Sequence, residues 1–78
     1  MITPEQVQSY IEKGLQCRQV NVLGDGEHFE AFIVSDAFRG KSRVQRHQLV
    51  YAALGERMRG EIHALSMRTL TPEEAASG

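Results

Sequence analysis

The stretch that decides the fold is HFEAFIVSDAFRGKSRVQRHQLVY, residues 28–51 of the chain. Its first part, residues 28–35, places Phe29, Ala31 and Ile33 at alternate positions. Because successive side chains of a strand point to opposite faces, this spacing predicts a strand that carries these three residues on one face. The other face of the strand would carry His28, Glu30, Phe32 and Val34.

The rest of this stretch predicts a turn followed by a long helix. Residues 36–41 form a turn, or a single helical turn, that is broken by Gly40. Ser42 is a suitable N-cap for a helix over residues 43–57, and Gly60 ends the segment. Apolar residues recur at helical spacing within it. The predicted buried face consists of Val44, Tyr51, Leu54 and Met58, widened by Val50 and Ala53.

The flanking sequence supplies a first helix and two further strands. Residues 3–15 begin with TPEQ, which combines an N-cap threonine, a proline and a capping-box glutamine and therefore predicts a helix. Residues 18–23 and 62–70 alternate as strands do, and residues 24–26, GDG, predict a hairpin turn. A last helix would begin at residues 71–74, where we expect no more than a frayed turn.

Length and composition restrict the class of protein. The 78 residues predict one domain, residues 1–78, with residues 75–78 frayed. A net charge of −1 gives no global indication of nucleic-acid binding, and the single cysteine, Cys17, cannot form an internal disulfide or a structural zinc site. The N-terminus has no secretory signal, and no apolar run approaches the roughly 20 residues of a membrane span. We therefore expect a cytoplasmic protein that does not enter a membrane.

Several motifs occur in an order that is specific as a set. They are Phe38-x-Gly40, Val44-x-Arg46-His47-x-x-Val50-Tyr51, Ile62-His63-Ala64-Leu65 and Thr71-Pro72. With these motifs the chain closely resembles the BolA family, in particular its IbaG-like branch, over most of its length. The order αββ(α)αβ is that of a class II KH-like domain, an α+β fold with helices packed on one face of a three-stranded sheet. The chain departs from the family pattern at Ala75, where many relatives have a tryptophan that continues into a C-terminal helix.

This resemblance implies a binding or cluster-handling module. Family members are partners of monothiol glutaredoxins and share a bridging [2Fe–2S] cluster with them, together with glutathione. The resemblance implies no cofactor in the isolated protein, which we expect to be a monomer or a weak homodimer. An enzyme is not expected, because Ser35 and Ser42 lack the context of a nucleophile and residues 24–26 are too short for a phosphate cradle.

His63 is the first candidate ligand for such a cluster. From its spacing alone, His63 would be a hydrogen-bonded structural histidine on the same face as Leu65 and Met67. The resemblance reverses this interpretation, because the histidine after the isoleucine of the last strand is the family's cluster ligand. Imidazole is a suitable ligand for iron, and histidine in place of thiolate raises the potential of a cluster.

His28 is the second candidate, because it follows the turn where relatives carry a second cysteine or histidine ligand. Two interpretations stay open for His28, a cluster ligand or a solvent-facing strand residue, and Asp25 occupies a place where some relatives have cysteine. His47 is interpreted as a neutral structural histidine, because the positive end of a helix disfavours an imidazolium. Cys17 is interpreted as a small buried hydrophobe.

Four cations lie within eight positions at the start of the predicted long helix: Arg39, Lys41, Arg43 and Arg46. The helix dipole favours anions there, so the cluster is either an ordinary solvated surface or a patch that faces an anion. Such a patch would meet an acidic partner surface, the glutathione carboxylates of a glutaredoxin complex, or DNA phosphates. The turn is not a GXXG loop and has no exposed aromatic residues, which weakens RNA binding.

Two function hypotheses follow from these residues. In the first, the protein is an iron–sulfur accessory protein that docks a monothiol glutaredoxin and donates His63. In the second, it is a DNA-binding transcriptional regulator that uses the basic turn and the helix after it. The sequence favours the first hypothesis, because the histidine pattern is specific while the net charge is slightly acidic.

Overall fold

The computed structural model describes residues 2–77, which form four helices and three strands. The helices are α1 (Pro4–Gly14), α2 (Arg43–Leu54), α3 (Arg57–Gly60) and α4 (Pro72–Ser77). The strands are β1 (Gln19–Gly24), β2 (His28–Val34) and β3 (Ala64–Leu70), and one 3-10 turn, Asp36–Phe38, follows β2. This order confirms the predicted αββ(α)αβ arrangement, to which short helices are added before and after β3. None of the helices within the described residues is long and apolar enough to cross a bilayer.

The strands form a single mixed sheet in the order β1-β2-β3. The hairpin makes β1 antiparallel to β2, with Val22 opposite Ala31. The connection through α2 returns the chain to the end of the sheet where β2 begins. Strand β3 therefore runs parallel to β2, with His28 opposite Ala64. Both β1 and β3 therefore lie at edges of the sheet.

One face of the sheet packs against α1 and α2, and the opposite face is largely open to solvent. Phe29 and Ile33 are fully buried, whereas Glu30 between them in sequence is exposed. This burial confirms the alternation that the sequence predicts for β2. The core between sheet and helices consists mainly of Val7, Ile11, Val20, Val22, Phe29, Ala31, Ile33, Phe38, Val50, Leu54 and Ile62.

Capping boxes begin the two longer helices. At α1, Thr3 Oγ1 accepts a hydrogen bond from the N–H of Gln6 at 3.1 Å, and Gln6 Oε1 accepts one from the N–H of Thr3 at 2.8 Å. At α2, Ser42 and Gln45 exchange the same pair of bonds at 3.2 and 2.9 Å. Each box joins residues only three positions apart, so the local sequence is enough to specify it.

The long helix predicted over residues 43–57 is in fact two helices. Gly55 ends α2 with a φ of +59°, a left-handed backbone that favours glycine. The predicted buried face is also wrong in part, because Val44 is 65% exposed and Tyr51 is 41% exposed. Leu54 is fully buried as predicted. Each residue advances about 100° around the helix axis, so the apolar residues form a broad band along the helix. Their spacing does not show which side of this band packs against the sheet.

A helix also forms where the sequence predicts only a frayed turn. Helix α4 starts with its own capping box, in which Thr71 and Glu74 exchange hydrogen bonds of 2.8 and 3.1 Å. The ion pair between Glu74 and the half-buried Arg46 of α2 supplies a long-range contact of the kind that so short a helix needs. Gly78, the last residue of the predicted frayed end, lies outside the described residues.

Helices α1 and α2 approach closely at Gly14. A Cβ atom added there would lie 2.7 Å from Cα of Ala53 and 2.8 Å from its carbonyl oxygen. We expect Gly14→Ala to lower the free energy of unfolding by about 1–3 kcal/mol, as for other overpacked sites. Gly60→Ala is the matched control, because a Cβ there meets nothing within 4 Å. Urea unfolding measures both variants, and equal stabilities would contradict the close approach.

Candidate functional site

His63 lies immediately before β3, and the backbone on both sides of it is fixed. Ile62 is 3% exposed, and its N–H donates to the carbonyl oxygen of Arg57 at 3.0 Å. The N–H of Ala64 donates to the carbonyl oxygen of Glu27 at 3.2 Å. His63 itself is exposed. Its imidazole is therefore accessible to another molecule while its backbone is held in place by neighbours that do not involve the ring.

The His63 side chain borders an open groove of about 530 Å³, which we call the His63 groove. Helix α1 contributes Gln6 and Tyr10 to its walls, and the turn before β2 contributes Glu27. The guanidinium of Arg57 stacks on the Tyr10 ring at 3.8 Å from the ring centroid, which stiffens this wall. The groove is wide and lined by mixed polar groups, so it suits contact with a macromolecule better than enclosure of a small molecule.

His28 begins β2 on the opposite face of the sheet. Its neighbour Phe29 is buried in the core, and strand alternation places the two side chains on different faces. The Nε2 atom of His28 lies 3.2 Å from Oγ of Ser66, which shares the outer face. His28 does not line the His63 groove. The two side chains therefore lie on different faces of the sheet, although His28 pairs with Ala64, the residue next to His63. The ligand role of His28 stays a prediction.

Asp25 shapes the turn that precedes His28. Its Oδ1 atom accepts hydrogen bonds from the N–H groups of His28 at 2.9 Å and Glu27 at 3.0 Å. These backbone donors, His28 foremost, hold the pKa of Asp25 below its usual value. One oxygen of this carboxylate is thus committed to the turn.

The donor set of the chain can be compared with the needs of an iron–sulfur cluster. Within residues 2–77 no group of three or more His, Cys, Asp or Glu side chains is arranged to hold a metal ion. A [2Fe–2S] cluster takes four protein ligands. His63 and His28 together would supply two of these. The described residues therefore do not fit a cluster that this chain holds alone. A cluster shared with a second molecule could take His63 as it stands, and His28 only after its side chain turns.

Two of the four cations in the predicted basic cluster, Arg39 and Arg46, form ion pairs with glutamates of α4. Arg39 donates to Oδ1 of Asp36 at 2.8 Å and to the two carboxylate oxygens of Glu73 at 2.8 and 2.7 Å. Asp36 also accepts a hydrogen bond from Arg18 at 2.9 Å. Arg39 first, and then Arg18, hold the pKa of Asp36 below its usual value. The side chains of Arg18, Asp36, Arg39 and Glu73 are all exposed, so each of these pairs contributes little to stability.

Arg46 is more buried than Arg39 and makes more contacts with the backbone. Its side chain is 12% exposed, and Nη1 donates to Oε1 of Glu74 at 2.6 Å and to the carbonyl oxygen of Thr69 at 3.0 Å. Its Nε atom donates to the carbonyl oxygen of Lys41 at 3.0 Å. Arg46, and then the N–H of Thr71, hold the pKa of Glu74 at about 2. Arg46 thus joins α2, β3 and α4, a structural role that the sequence analysis missed.

Lys41 and Arg43 are exposed and make no ion pair within residues 2–77. They border a second groove, of about 590 Å³, which runs between α2 and β3 and which we call the basic groove. Arg68 and His47 also line it. The place of Arg68 beside the other cations does not follow from the sequence, because it depends on where β3 pairs in the sheet.

Cys17 and His47, to which the sequence assigns structural roles, are both half-buried. The Sγ atom of Cys17 lies 3.3 Å from the carbonyl oxygen of Leu15, to which it donates, and the residue packs against the core. Burial, and to a lesser extent the charge of Glu12, raises the pKa of the Cys17 thiol. Less of the reactive thiolate is therefore present than at a free cysteine.

We expect Glu74→Gln to lower the thermal stability at neutral pH. The carboxyl has a pKa of about 2 in the folded chain against an ordinary value of 4.5, so its contribution is complete above about pH 4.5 and is lost as the pH falls toward 2. Thermal unfolding from pH 7 to pH 2 should show the gap between wild type and variant closing in that window. Glu56→Gln is the control, because Glu56 is 87% exposed and its ion pair is 3.8 Å long. A gap that persists at pH 2 would contradict this account of Glu74.

The chain is similar in sequence to known proteins over most of its length. Residues 6–74 match the family model described as BolA-like protein. The chain belongs to the BolA family. It is 40% identical over 72 residues to the acid stress protein IbaG of Escherichia coli strain K12, and the match covers 91% of this chain and 86% of that protein. The family and branch indicated by the sequence motifs are confirmed.

Solved BolA structures share the fold described above. A BolA protein homologue from Coxiella burnetii has a TM-score of 0.91 and 44% identity, over 97% of this chain and 99% of that one. The BolA domain of SufE1 from Arabidopsis thaliana has a TM-score of 0.80 and 35% identity, over 91% and 93% of the two chains. In SufE-like protein 1 of the same plant, which is 53% identical over 67 residues, the match covers 85% of this chain and only 18% of that longer protein.

Proposed function

We propose that this BolA-family protein is an accessory protein that binds a monothiol glutaredoxin and shares a bridging [2Fe–2S] cluster with it. Proteins of this family are known as regulatory or accessory proteins rather than as enzymes. The observation that carries the proposal is the exposed imidazole of His63, held on a fixed backbone beside an open groove. A ligand with these properties can reach a cluster on the surface of a partner.

His63 is suited to donate a ligand without any change in the fold. Ile62 and Ala64 hold its backbone through the core and through β2, so little conformational freedom is lost when the ring binds. The ring must be neutral to bind, because protons compete with metals for imidazole nitrogen. When bound, the cluster supplies redox-active iron whose potential is raised by a histidine ligand. The His63 groove would receive the surface of the glutaredoxin around that iron.

His28 is the second ligand that we propose, and it requires a rearrangement that His63 does not. Its ring would have to leave Ser66, 3.2 Å away, and turn from the outer face of the sheet toward His63, which lies at the end of the sheet where β2 begins. The hydrogen bonds of Asp25 fix the backbone at this point, so the movement would be confined to the side chain. Without His28, the remaining ligands would come from the glutaredoxin and its glutathione.

The experiment that tests the proposal is co-expression of the protein with a monothiol glutaredoxin. We expect the purified complex to show visible absorption and visible circular dichroism of a [2Fe–2S] cluster that differ from those of the glutaredoxin alone. The isolated protein serves as the control and should be colourless. A glutaredoxin that elutes separately with an unchanged spectrum would overturn the proposal.

DNA binding is the second candidate function, and the basic groove supports it. Lys41, Arg43 and Arg68 are exposed cations at this groove, whereas Arg46 is already bound to Glu74. Three phosphate contacts would give a slope of about −2.7 in a plot of log affinity against log salt, since each neutralised phosphate contributes about −0.9. We expect weak or undetectable DNA binding at physiological salt. Submicromolar, sequence-selective DNA binding without glutaredoxin binding would favour the regulator.

Reversing the charges of Lys41 and Arg43 should show whether these cations dock a partner or belong to an ordinary solvated surface. We expect the double variant Lys41→Glu/Arg43→Glu to slow association with the glutaredoxin, and the effect to shrink as salt rises, because exposed charges are screened over about 8 Å at physiological ionic strength. Lys13→Glu/Arg18→Glu makes the same change in net charge at exposed positions that border neither the His63 groove nor the basic groove. Stopped-flow association rates at several salt concentrations measure the effect. Equal rates for the two double variants would show that the basic turn does not face the glutaredoxin.

A further inference from the structure

We propose that the free edge of β3 and the first turns of α2 form a docking site for an extended acidic peptide, which adds a fourth strand to the sheet. The site lies in the basic groove and is separate from the His63 groove. The proposal does not depend on cluster binding, and either can fail without the other.

The backbone of β3 has unused hydrogen-bonding groups on its outer edge. In a parallel strand, successive residues direct their N–H and C=O groups alternately to one side and the other. Ala64 and Leu70 are directed toward β2, since they bond to Glu27 and Ser35. Leu65, Met67 and Thr69 are therefore directed away from β2, to the side where no other strand of residues 2–77 lies. The carbonyl oxygen of Thr69 already accepts a hydrogen bond from Arg46, so the free part of the edge is at Leu65 and Met67. These groups form a template for another strand.

Charged side chains flank this edge on both faces of the sheet. Lys41, Arg43 and Arg46 lie on the helical face, and Arg68 lies on the outer face, where its guanidinium is 5.9 Å from the centre of the Phe32 ring. Glu74 is the one carboxylate among the lining residues of the groove. A strand added to this edge would alternate its side chains between the two faces, and acidic residues on either face would meet a cation.

The chain already shows how this groove binds a carboxylate. The guanidinium of Arg46 makes two contacts with the Glu74 carboxylate, at 2.6 and 3.2 Å, at the end of the groove next to α4. The exposed cations Lys41 and Arg43 have no such partner within the described residues. An acidic peptide would supply for them the type of partner that Glu74 supplies for Arg46.

A peptide fits the site better than the two other occupants to be considered. Nucleic acid phosphates accept hydrogen bonds but donate none, so they could not pair with the carbonyl groups of Leu65 and Met67. A second copy of this chain, paired through the same edge, would place two cationic grooves side by side, and like charges repel. An acidic strand satisfies both the backbone groups and the charges.

The test is a binding titration with a labelled nine-residue peptide of alternating glutamate and valine, EVEVEVEVE, followed by fluorescence anisotropy. A lysine–valine peptide controls for charge, and the acidic peptide with every second amide N-methylated controls for strand pairing. We expect only the unmodified acidic peptide to bind. Lys41→Gln/Arg43→Gln should weaken this binding about ten-fold or more. Lys13→Gln/Arg59→Gln, the charge-matched variant away from the groove, should leave it unchanged.

Amide hydrogen exchange adds a residue-level readout. Bound peptide should protect the N–H groups of Leu65 and Met67, while those of Ser66 and Arg68, already directed toward β2, should change little. Failure of the acidic peptide to bind would overturn the proposal. The cations would then be explained as charges that protect an exposed strand edge from aggregation. Equal binding of the methylated peptide would overturn strand addition, and binding of a ten-nucleotide oligothymidylate without peptide binding would overturn the choice of ligand.

Discussion

Replacing His63 by alanine should leave the fold intact and shorten the lifetime of a cluster shared with a monothiol glutaredoxin by ten-fold or more. The fold should survive because the ring is exposed and the neighbouring backbone is held by Ile62 and Ala64. The effect on the cluster should be large because one iron loses its imidazole ligand. Even the loss of a residue that only hydrogen-bonds to a metal ligand lowers metal affinity by about 10–100-fold. Decay of visible circular dichroism in the co-expressed complex measures the lifetime.

Two further histidine variants serve as comparisons for His63→Ala in this experiment. His28→Ala should shorten the lifetime less than His63→Ala, because His28 faces the outer side of the sheet and its place can be taken by water or glutathione. His47→Ala should have no effect on the spectrum, because His47 lines the basic groove and not the His63 groove. An unchanged spectrum and lifetime in the His63→Ala complex would remove His63 as the ligand. A loss with His28→Ala as large as that with His63→Ala would make His28 an equal ligand.

Replacing Phe29 by alanine should remove a large part of the stability of this small domain. The Phe29 ring is fully buried between the sheet and the helices. Truncating a buried phenylalanine costs about 3–5 kcal/mol, whereas 78 residues at roughly 0.05–0.15 kcal/mol each give about 4–12 kcal/mol in total. We expect the melting temperature to fall by at least about 12 °C, and thermal unfolding followed by far-ultraviolet circular dichroism measures it.

Phe32→Ala is the matched control, because the same side chain is removed from the same strand on the opposite face. Phe32 is only half-buried and stacks with Arg68 on the outer side of the sheet. We expect a loss of about 1 kcal/mol, the centre of the range for point mutations. Equal losses at Phe29 and Phe32 would contradict a sheet with one buried face.

Much of the fold follows from contacts between residues close in the sequence. The capping boxes of Thr3 and Ser42 join residues three positions apart, and the alternation around Phe29 reflects the two-residue period of any strand. The break at Gly55 was missed, because a glycine within a helical pattern does not by itself show whether the helix continues. The exposure of Val44 and Tyr51 was missed because periodicity defines a stripe and not the element that covers it.

The candidate site is less well predicted than the fold. His63 came from the resemblance to a family, since its spacing alone indicates a structural histidine. The sequence placed Arg39 and Arg46 in one basic cluster, whereas the structure pairs them with Glu73 and Glu74 of α4. The two glutamates in the first turn of a helix were visible in the sequence, but their partners lie about thirty residues away.

The sequence by itself therefore determined the order of the elements and the alternation of β2, while His63 became the candidate ligand through the family resemblance. Only the tertiary structure decided that His63 and His28 lie on different sides of the sheet, and that Arg68 joins Lys41 and Arg43 at one groove. The physical reason is the range of the interactions. Caps and alternation depend on neighbours along the chain, whereas the composition of a groove depends on which strands pair and on where the crossover helix returns the chain.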